Sequence, residues 1–295
     1  MKTARALIAI CIPVFIFGLL IWGLYTRAAA RMEVLSTLVA AEQRRVEMGV
    51  VQTTLTRLAH DPEVAKLDPA TSCKNLKQDL QDSQGFFAVL AVGDATGKPV
   101  CTGDPAVAPP LPTMSDRDYF ARVKVAKEMV TGEFATSKTT GKAVLHFAYP
   151  ILMENGTFRG FVLAAVDLAQ FETPDLETAF VKEGVMVMAI DGNGNLLYRY
   201  PQAGRKLGQY SVSAELVNAL LSGGHTPRVV RGDDGVWRVY AYHWVSVDRD
   251  YDVAVVAGVS ILSYLPIIFG LGLLSVIMGF HAWFILGRVG SRQVR

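Results

Sequence analysis

The chain has 295 residues, 29 Lys and Arg against 27 Asp and Glu, a formal net charge of +2, and 51% hydrophobic residues. So small a charge, with no basic stripe, excludes a nucleic-acid binder that works through phosphate contacts. The apolar residues are concentrated at the two ends, and this sets the organisation of everything between them.

From Ala6 to Tyr25, "ALIAICIPVFIFGLLIWGLY" carries no charge over 20 residues. That is about 30 Å of helix, enough to cross the hydrocarbon core of a bilayer, and it predicts a first span at 6–26. "LPIIFGLGLLSVIMGFHAWFIL", Leu265 to Leu286, predicts a second span at 264–287, with only His281 ionisable and Pro266 in its first turn. Lys2 and Arg5 precede the first span, and Arg288, Arg292 and Arg295 follow the second. The positive-inside rule then assigns residues 1–5 and the short tail 288–295 to the cytoplasm and residues 27–260 to the far side. Arg27 and Arg31 oppose this orientation. The rival is a signal peptide cleaved at Ala28–Ala30, but its apolar core would exceed the usual length of about 7–15 residues.

Cys11 falls in the first span. Cys73 and Cys101 lie in the exported segment, 28 residues apart. An oxidising compartment favours a disulfide between them, which would stabilise the fold by about 3–4 kcal/mol on the chain-entropy model. Two buried free thiols are the alternative. The spacing is too long for a compact zinc knuckle, and no histidine pair accompanies it.

In chain order, residues 28–60 read as one long helix. Leu35, Leu38, Val39, Val46, Val50 and Leu58 recur on its apolar side. At 1.5 Å per residue this is a rod of roughly 45 Å. It pairs with a copy of itself, packs on its own domain, or does both. A short helix at Leu76–Gln84 leads into a strand at Phe86–Val92, the turn "GDATG" and the strand "KPVCT", a hairpin. A proline-rich loop, Asp104 to Thr113, precedes "MSDRDYF" (Met114 to Phe120). That motif opens a helix expected from Asp116 to Lys127, with Asp116 as its cap. "GEFATSK", "AVLHFAYPILM" and "FRGFVLAAVDL" are further strands joined by Gly-bearing turns. Residues 73–170 thus form a first lobe, an antiparallel sheet with helices on one side.

The same order of elements returns in residues 180–260. "VMVMAIDGNGNLLYRYP" is strand, turn and strand; a helix follows at Ser213–Leu221, then two strands hinged at "GDDG", and "DVAVVAGVS" closes the sheet. "DGNGN" resembles part of a calcium loop, but Gln202 stands where the twelfth-position glutamate is required, so a turn is expected.

These features resemble the double Cache sensor domains, tandem PAS-like lobes on a long helix outside the membrane of bacterial chemoreceptors, histidine kinases and diguanylate cyclases. The resemblance spans about Met32 to Ser260. It rests on "SDRDYFARV", on "TGKAVLHFAYPI" with "NGTFRGFVLAAVDL", and on "AIDGNGNLLYRYP". The cysteines flanking "DATGKPVC" look like the subset attached to cyclases and kinases. It implies an α+β fold: a long N-terminal helix and two tandem PAS-like lobes, bracketed by two transmembrane helices. It also implies a periplasmic domain on the bacterial inner membrane. The membrane-distal lobe of such domains carries the ligand pocket, and an Arg-x-aromatic-aromatic motif lines it; Arg117, Tyr119 and Phe120 match. An aspartate ending a later strand closes it; Asp167 matches.

A guanidinium binds a carboxylate through two parallel hydrogen bonds, and aromatics beside it hold water back. This chain departs from the amino-acid sensors of the family. They carry a Tyr-x-Asp pair before the "TG" turn, whereas "FATSKTTGK" has neither tyrosine nor acid. Ser137, Lys142, His146 and Tyr149 become candidate donors to an anionic ligand, a small mono- or dicarboxylate. Ion pairing of Arg117 with Asp116, Asp118 or Asp167, and core roles for Tyr119, Phe120 and His146, are the structural alternatives.

The sequence carries no catalytic motif: no GxSxG, HExxH or P-loop, and five scattered histidines, so no enzyme, cofactor or metal site is expected. The expected partners are a small ligand, the membrane, a second copy of the chain, and an effector that is either a further part of a longer receptor or a separate protein. Gly270, Gly272, Ser275 and Gly279 would let the second span pack closely on a neighbour. The competing function is an envelope adaptor whose lobes bind a protein. A cavity filled by Phe120, Phe147 or Phe161 would favour it.

Overall fold

The computed structural model describes residues 2–43, 49–104, 107, 110–171, 184–201, 212–221, 226–246 and 252–292. Gln202, the twelfth position of the calcium-like loop, lies outside them, as do residues 44–48 of the expected stalk.

Helix α1 (Lys2–Gln43) runs through the first span and on into the exported segment, so span and stalk are parts of one rod. It is followed by α2 (Gly49–Ala59), α3 (Pro62–Ala65) and α4 (Pro69–Asp82). The short helices are punctuated by side-chain caps. Asp61 accepts from the Glu63 amide and Asp68 from the Ala70 amide, and each is followed by a proline in the first turn. Helix α4 begins seven residues before the expected Leu76 because this Asp-Pro start outweighs the weak apolar period. Cys73 therefore sits on a helix, and its disulfide to Cys101 pins α4 to the sheet at a Cα–Cα distance of 5.8 Å.

The first sheet contains β1 (Phe87–Asp94), β2 (Pro99–Thr102), β3 (Val130–Thr136), β4 (Ala143–Leu152) and β5 (Phe158–Asp167), in the order β2-β1-β5-β4-β3. Between β2 and β3 lies α5 (Asp118–Val123). The second sheet contains β6 (Val185–Asp191), β7 (Leu196–Tyr200), β8 (Arg228–Arg231), β9 (Trp237–Ser246) and β10 (Asp252–Ser260), in the order β7-β6-β10-β9-β8. Helix α6 (Ala214–Leu221) occupies the place of α5, and α7 (Leu265–Arg292) follows a short 3-10 turn, Ile261–Tyr264. All strand pairs are antiparallel.

Strand alternation divides each sheet into two faces. On β4, Leu145, Phe147 and Ile151 join Leu55 and Leu58 of α2 in one core. That core continues along α1 to Val239 and Ala241 of β9. Val144 and Ala148, on the opposite face, pack with Tyr119, Phe120 and Val123 of α5. The second sheet repeats this, with Met186, Met188, Ile190, Tyr240 and Tyr242 under Leu216 of α6. One continuous hydrophobic seam thus ties the rod to both sheets, and each lobe keeps a separate compartment on its outer face.

The two terminal helices, α1 and α7, are long and apolar enough to cross a membrane over Cys11–Ala41 and Ile261–Ile285. They touch, with the Ser275 hydroxyl donating to the Pro13 carbonyl at 2.9 Å.

Candidate functional site

The site is built on the outer face of the first sheet. Asp94 ends β1 and accepts hydrogen bonds from the Thr96 and Lys98 amides, folding a tight turn. Burial works against its charge, but these hydrogen bonds hold its carboxyl below the usual carboxylate range. The turn brings Gly97 to a φ of 83°, where a side chain would also meet Ser115 at 2.8 Å. The Met114 amide donates to the Gly97 carbonyl at 3.0 Å, docking the loop that carries Arg117 over the sheet.

Arg117 is extended and occupies the cap position of α5. Two expectations change here. Asp116 is not the cap; its carboxylate instead accepts from Lys138 at 2.6 Å. The helix spans Asp118–Val123, shorter than the expected 116–127, because it is held only where Tyr119, Phe120 and Val123 reach the sheet. Asp118 stays on the helix, paired with Arg122 at 2.6 Å, and Arg122 also donates to the Thr131 carbonyl. The Arg117 backbone is bonded to Met114 and Phe120, but its guanidinium makes no hydrogen bond or ion pair among the described residues.

The cavity beside it measures about 60 Å³ and lies between β1, β4, β5, the Met114 loop and the β3–β4 turn. Val89, Leu163 and Ala165 form its floor, and Arg117, Tyr119, Ser137, Lys138 and His146 supply its polar groups. Tyr119 lies within 5.3 Å of His146, ring centre to ring centre. Gly132 makes room for both, since a Cβ there would stand 2.7 Å from the Tyr119 ring. His146 is buried, and burial, reinforced by the positive charge of Arg117, lowers its pKa to about 4; a hydrogen bond with the Glu133 backbone works the other way. It is therefore a neutral imidazole at pH 7. Burial likewise raises the pKa of the Tyr119 phenol, which stays protonated. The site holds one unpaired permanent cation, neutral donors, and no Asp or Glu among its described lining residues.

Of the eight expected ligand contacts, Arg117, Tyr119, Ser137 and His146 line this cavity; Phe120, Lys142, Tyr149 and Asp167 do not. Phe120 points to the sheet–helix core, with its ring 5.7 Å from Phe161. Tyr149 lies on the opposite face of β4, 6.0 Å from the His60 ring of the stalk. Asp167 shares the face of Leu163 and Ala165 but lies beyond the cavity, paired with Lys142 at 2.7 Å and accepting from the Ala169 amide. Lys138, Thr113 and Thr139 also line the cavity; the position of Lys138 and Thr139 in the "TSKTTG" turn beside Ser137 was the available signal.

The corresponding compartment of the second lobe is nearly filled. It leaves about 10 Å³ between Met186, Met188, Leu196 and Tyr240. Its two arginines, Arg199 and Arg238, are both tied to Asp234, at 2.9 and 2.8 Å.

A Cache domain profile matches residues 25–263 of the chain. No curated protein sequence matches. Solved structures that resemble it include the ligand-binding domain of the Pseudomonas fluorescens chemoreceptor CtaA in complex with L-serine. That likeness has 16% identity and a TM-score of 0.58, over 79% of this chain and 96% of that one. The ligand-binding domain of the Pseudomonas aeruginosa PAO1 amino-acid chemoreceptor PctC, in complex with GABA, matches at 17% identity and a TM-score of 0.58, over 79% and 99%. The extracellular domain of rpHK1S-Z16, described as a candidate histidine kinase, matches at 20% identity and a TM-score of 0.59, over 81% and 97%. At these identities the likeness shows the fold alone; the profile match, over most of the exported segment, shows the family. The chain belongs to the Cache domain family, with helices able to span a membrane at both ends of the domain.

Proposed function

We propose that this chain is a sensor of the bacterial inner membrane, with residues 27–260 in the periplasm and both termini in the cytoplasm. Its first lobe, the membrane-distal one, binds a small mono- or dicarboxylate that lacks an α-ammonium group. The observation that carries this reading is the unpaired Arg117 guanidinium at a cavity with no carboxylate among its described lining residues. A carboxylate gains two charge-assisted hydrogen bonds there, while an ammonium would meet Arg117 and find no counter-ion. The domains of CtaA and PctC are bound to L-serine and GABA, both carboxylates, which supports the carboxylate half of the assignment.

Closure of the first lobe around the ligand would move α2 and α1 through the shared core, displacing one span against the other or against a second copy. The ligand shifts that equilibrium only by its differential affinity for the two states. The signal then passes to an effector, either a further part of a longer receptor or a separate protein. The adaptor reading loses its main support, since Phe120 and Phe161 pack against each other and Phe147 faces the stalk, leaving the cavity open.

The test is a thermal-shift screen of the full chain against carboxylates with and without an α-amino group, with Arg117→Ala alongside. A ligand at a hundred times its dissociation constant should stabilise the first lobe by about 2.7 kcal/mol. A carboxylate hit that disappears in Arg117→Ala supports the assignment. A preference for α-amino acids, or a hit indifferent to Arg117, overturns it.

A further inference from the structure

The second lobe carries an exposed feature that ligand binding in the first does not explain. Trp237 opens β9 and is 54% exposed. Its cross-strand partner is Arg231, also exposed, and Val229 lies two residues along on the same strand face. Alternation places these three on the face whose next members, Val239 and Ala241, are buried in the core that α1 shares. The patch therefore begins where the cover of the rod over the sheet ends.

Strand register fixes the level of this patch. Arg238 pairs with Ser260, the last residue before the turn that enters α7. Trp237 and Arg231 stand one step further along, and the turn Gly232–Val236 reaches beyond them. On the other side, the Tyr25 hydroxyl, at the outer end of the first apolar run, donates to the Pro227 carbonyl just before β8, at the end of that strand away from Arg231. Trp22 (64% exposed) packs on Tyr25 with ring centres 5.8 Å apart, and Leu262 is 61% exposed in the turn before α7. Trp237 and Tyr264 thus stand at the level where α7 leaves the lobe, and Trp22 lies one turn before Tyr25 on the membrane side of α1. Aromatic residues so placed mark the headgroup region of a bilayer.

The charges point the same way. Arg231 uses its Nε to hold the Gly235 carbonyl, which fixes its stem and leaves its terminal nitrogens to solvent. The two acids of the same turn are engaged inward. Asp233 accepts from Ser213, and Asp234 from Arg199 and Arg238. A fixed guanidinium beside an exposed indole matches a phospholipid headgroup, phosphate to the first and glycerol region to the second.

We propose that the β8–β9 hairpin, through Arg231 and Trp237, rests on the phosphate-bearing headgroups of the outer leaflet. The second lobe is then seated on the bilayer as well as tethered to it. The proposal rests on the reading that α1 and α7 cross the membrane.

Single-tryptophan reporters of the full chain in lipid nanodiscs test it. The lipid is phosphatidylcholine with phosphatidylglycerol, bearing a nitroxide either on the choline headgroup or deep in the acyl chain. Replacing three of the four tryptophans (Trp22, Trp237, Trp244 and Trp283) by Phe leaves one reporter at a time. Trp244 is the internal control, seven residues up the same strand and roughly 23 Å away. The headgroup nitroxide should quench Trp237 several-fold more than Trp244, and Arg231→Glu should reduce that difference. Equal quenching of the two, or a Trp237 reached by aqueous iodide but not by the headgroup label, overturns the seating. Trp283 in α7 reports on the span itself. If the acyl-chain nitroxide leaves it unquenched, the membrane crossing fails first and takes this proposal with it.

Discussion

The two lobes are the same construction used twice, and they differ where a ligand would sit. Each sheet has the same strand order. In each, an aspartate ending the first strand folds the following turn by accepting two amides: Thr96 and Lys98 on Asp94, Asn193 and Asn195 on Asp191. In each, a loop residue then docks its amide on the glycine of that turn at 3.0 Å, Met114 on Gly97 and Val212 on Gly194. Three residues after the docking point the lobes part. The first has Arg117, extended and aimed at a cavity; the second has Glu215, already on the helix and exposed. The second lobe does hold two arginines, but Asp234 pairs with both and methionines occupy the space beneath α6. A shared backbone therefore gives an open cavity beside an unpaired guanidinium in one copy and a packed compartment in the other. The choice is made by whether a cation has an internal counter-ion.

Breaking the difference from the first lobe should have the largest effect on ligand binding. Arg117→Ala removes the only unpaired guanidinium among the described lining residues of the cavity, and carboxylate affinity measured by calorimetry should fall by about 30-fold or more. Melting temperature without ligand should change little, since Arg117 holds no internal partner. The mirror experiment is Asp234→Ala. It leaves Arg199 and Arg238 uncompensated and should cost about 2–4 kcal/mol in denaturant unfolding, below the value for a fully enclosed pair because Asp234 is partly exposed. Ligand affinity in the first lobe should be unchanged. Loss of binding in Asp234→Ala, or loss of stability in Arg117→Ala, would erase the proposed division of labour.

The disulfide belongs to the first lobe alone. Cys73→Ala should destabilise that lobe by about 3 kcal/mol, seen as an earlier transition that reductant reproduces in the parent protein. The smallest expected effect is a pH dependence. His146 is neutral in the folded lobe down to about pH 4, whereas in the unfolded chain it takes a proton near pH 6.5. Its contribution to stability is thus complete above about 6.5 and is lost as pH falls toward 4. That amounts to about 2 kcal/mol at pH 5, and His146→Gln should flatten this part of the profile.

Much of this was legible in the sequence. The spans, the order of strands, the repeat and the pairing of Cys73 with Cys101 follow from hydropathy, turn residues and compartment. Arg117, Tyr119, Ser137 and His146 could be drawn toward one place from their motif and strand positions. Phe120, Lys142, Tyr149 and Asp167 could not be sorted so well. For Tyr149 the reason is parity: His146 and Tyr149 are three residues apart on β4, so one faces the cavity and the other the stalk. For Lys142 and Asp167 it is a contact between residues 25 apart in the chain, which no local pattern reveals. The early start of α4 was available, since "DPATS" is a capping signal, but it competes with a weak apolar period.

Helix α1 continues without Gly or Pro from Leu24 to Gln43. At 1.5 Å per residue this stretch is about 30 Å of stiff shaft, joined without a break to the apolar run below it. A shaft that cannot bend passes on torque and thrust and does little to absorb either. The shaft lies mainly against β9 and β10 of the second lobe, so under the proposed mechanism the stroke is set by how that lobe grips the shaft, and a pair of glycines at its middle would act as a slipping clutch, leaving ligand binding intact while uncoupling it from the spans.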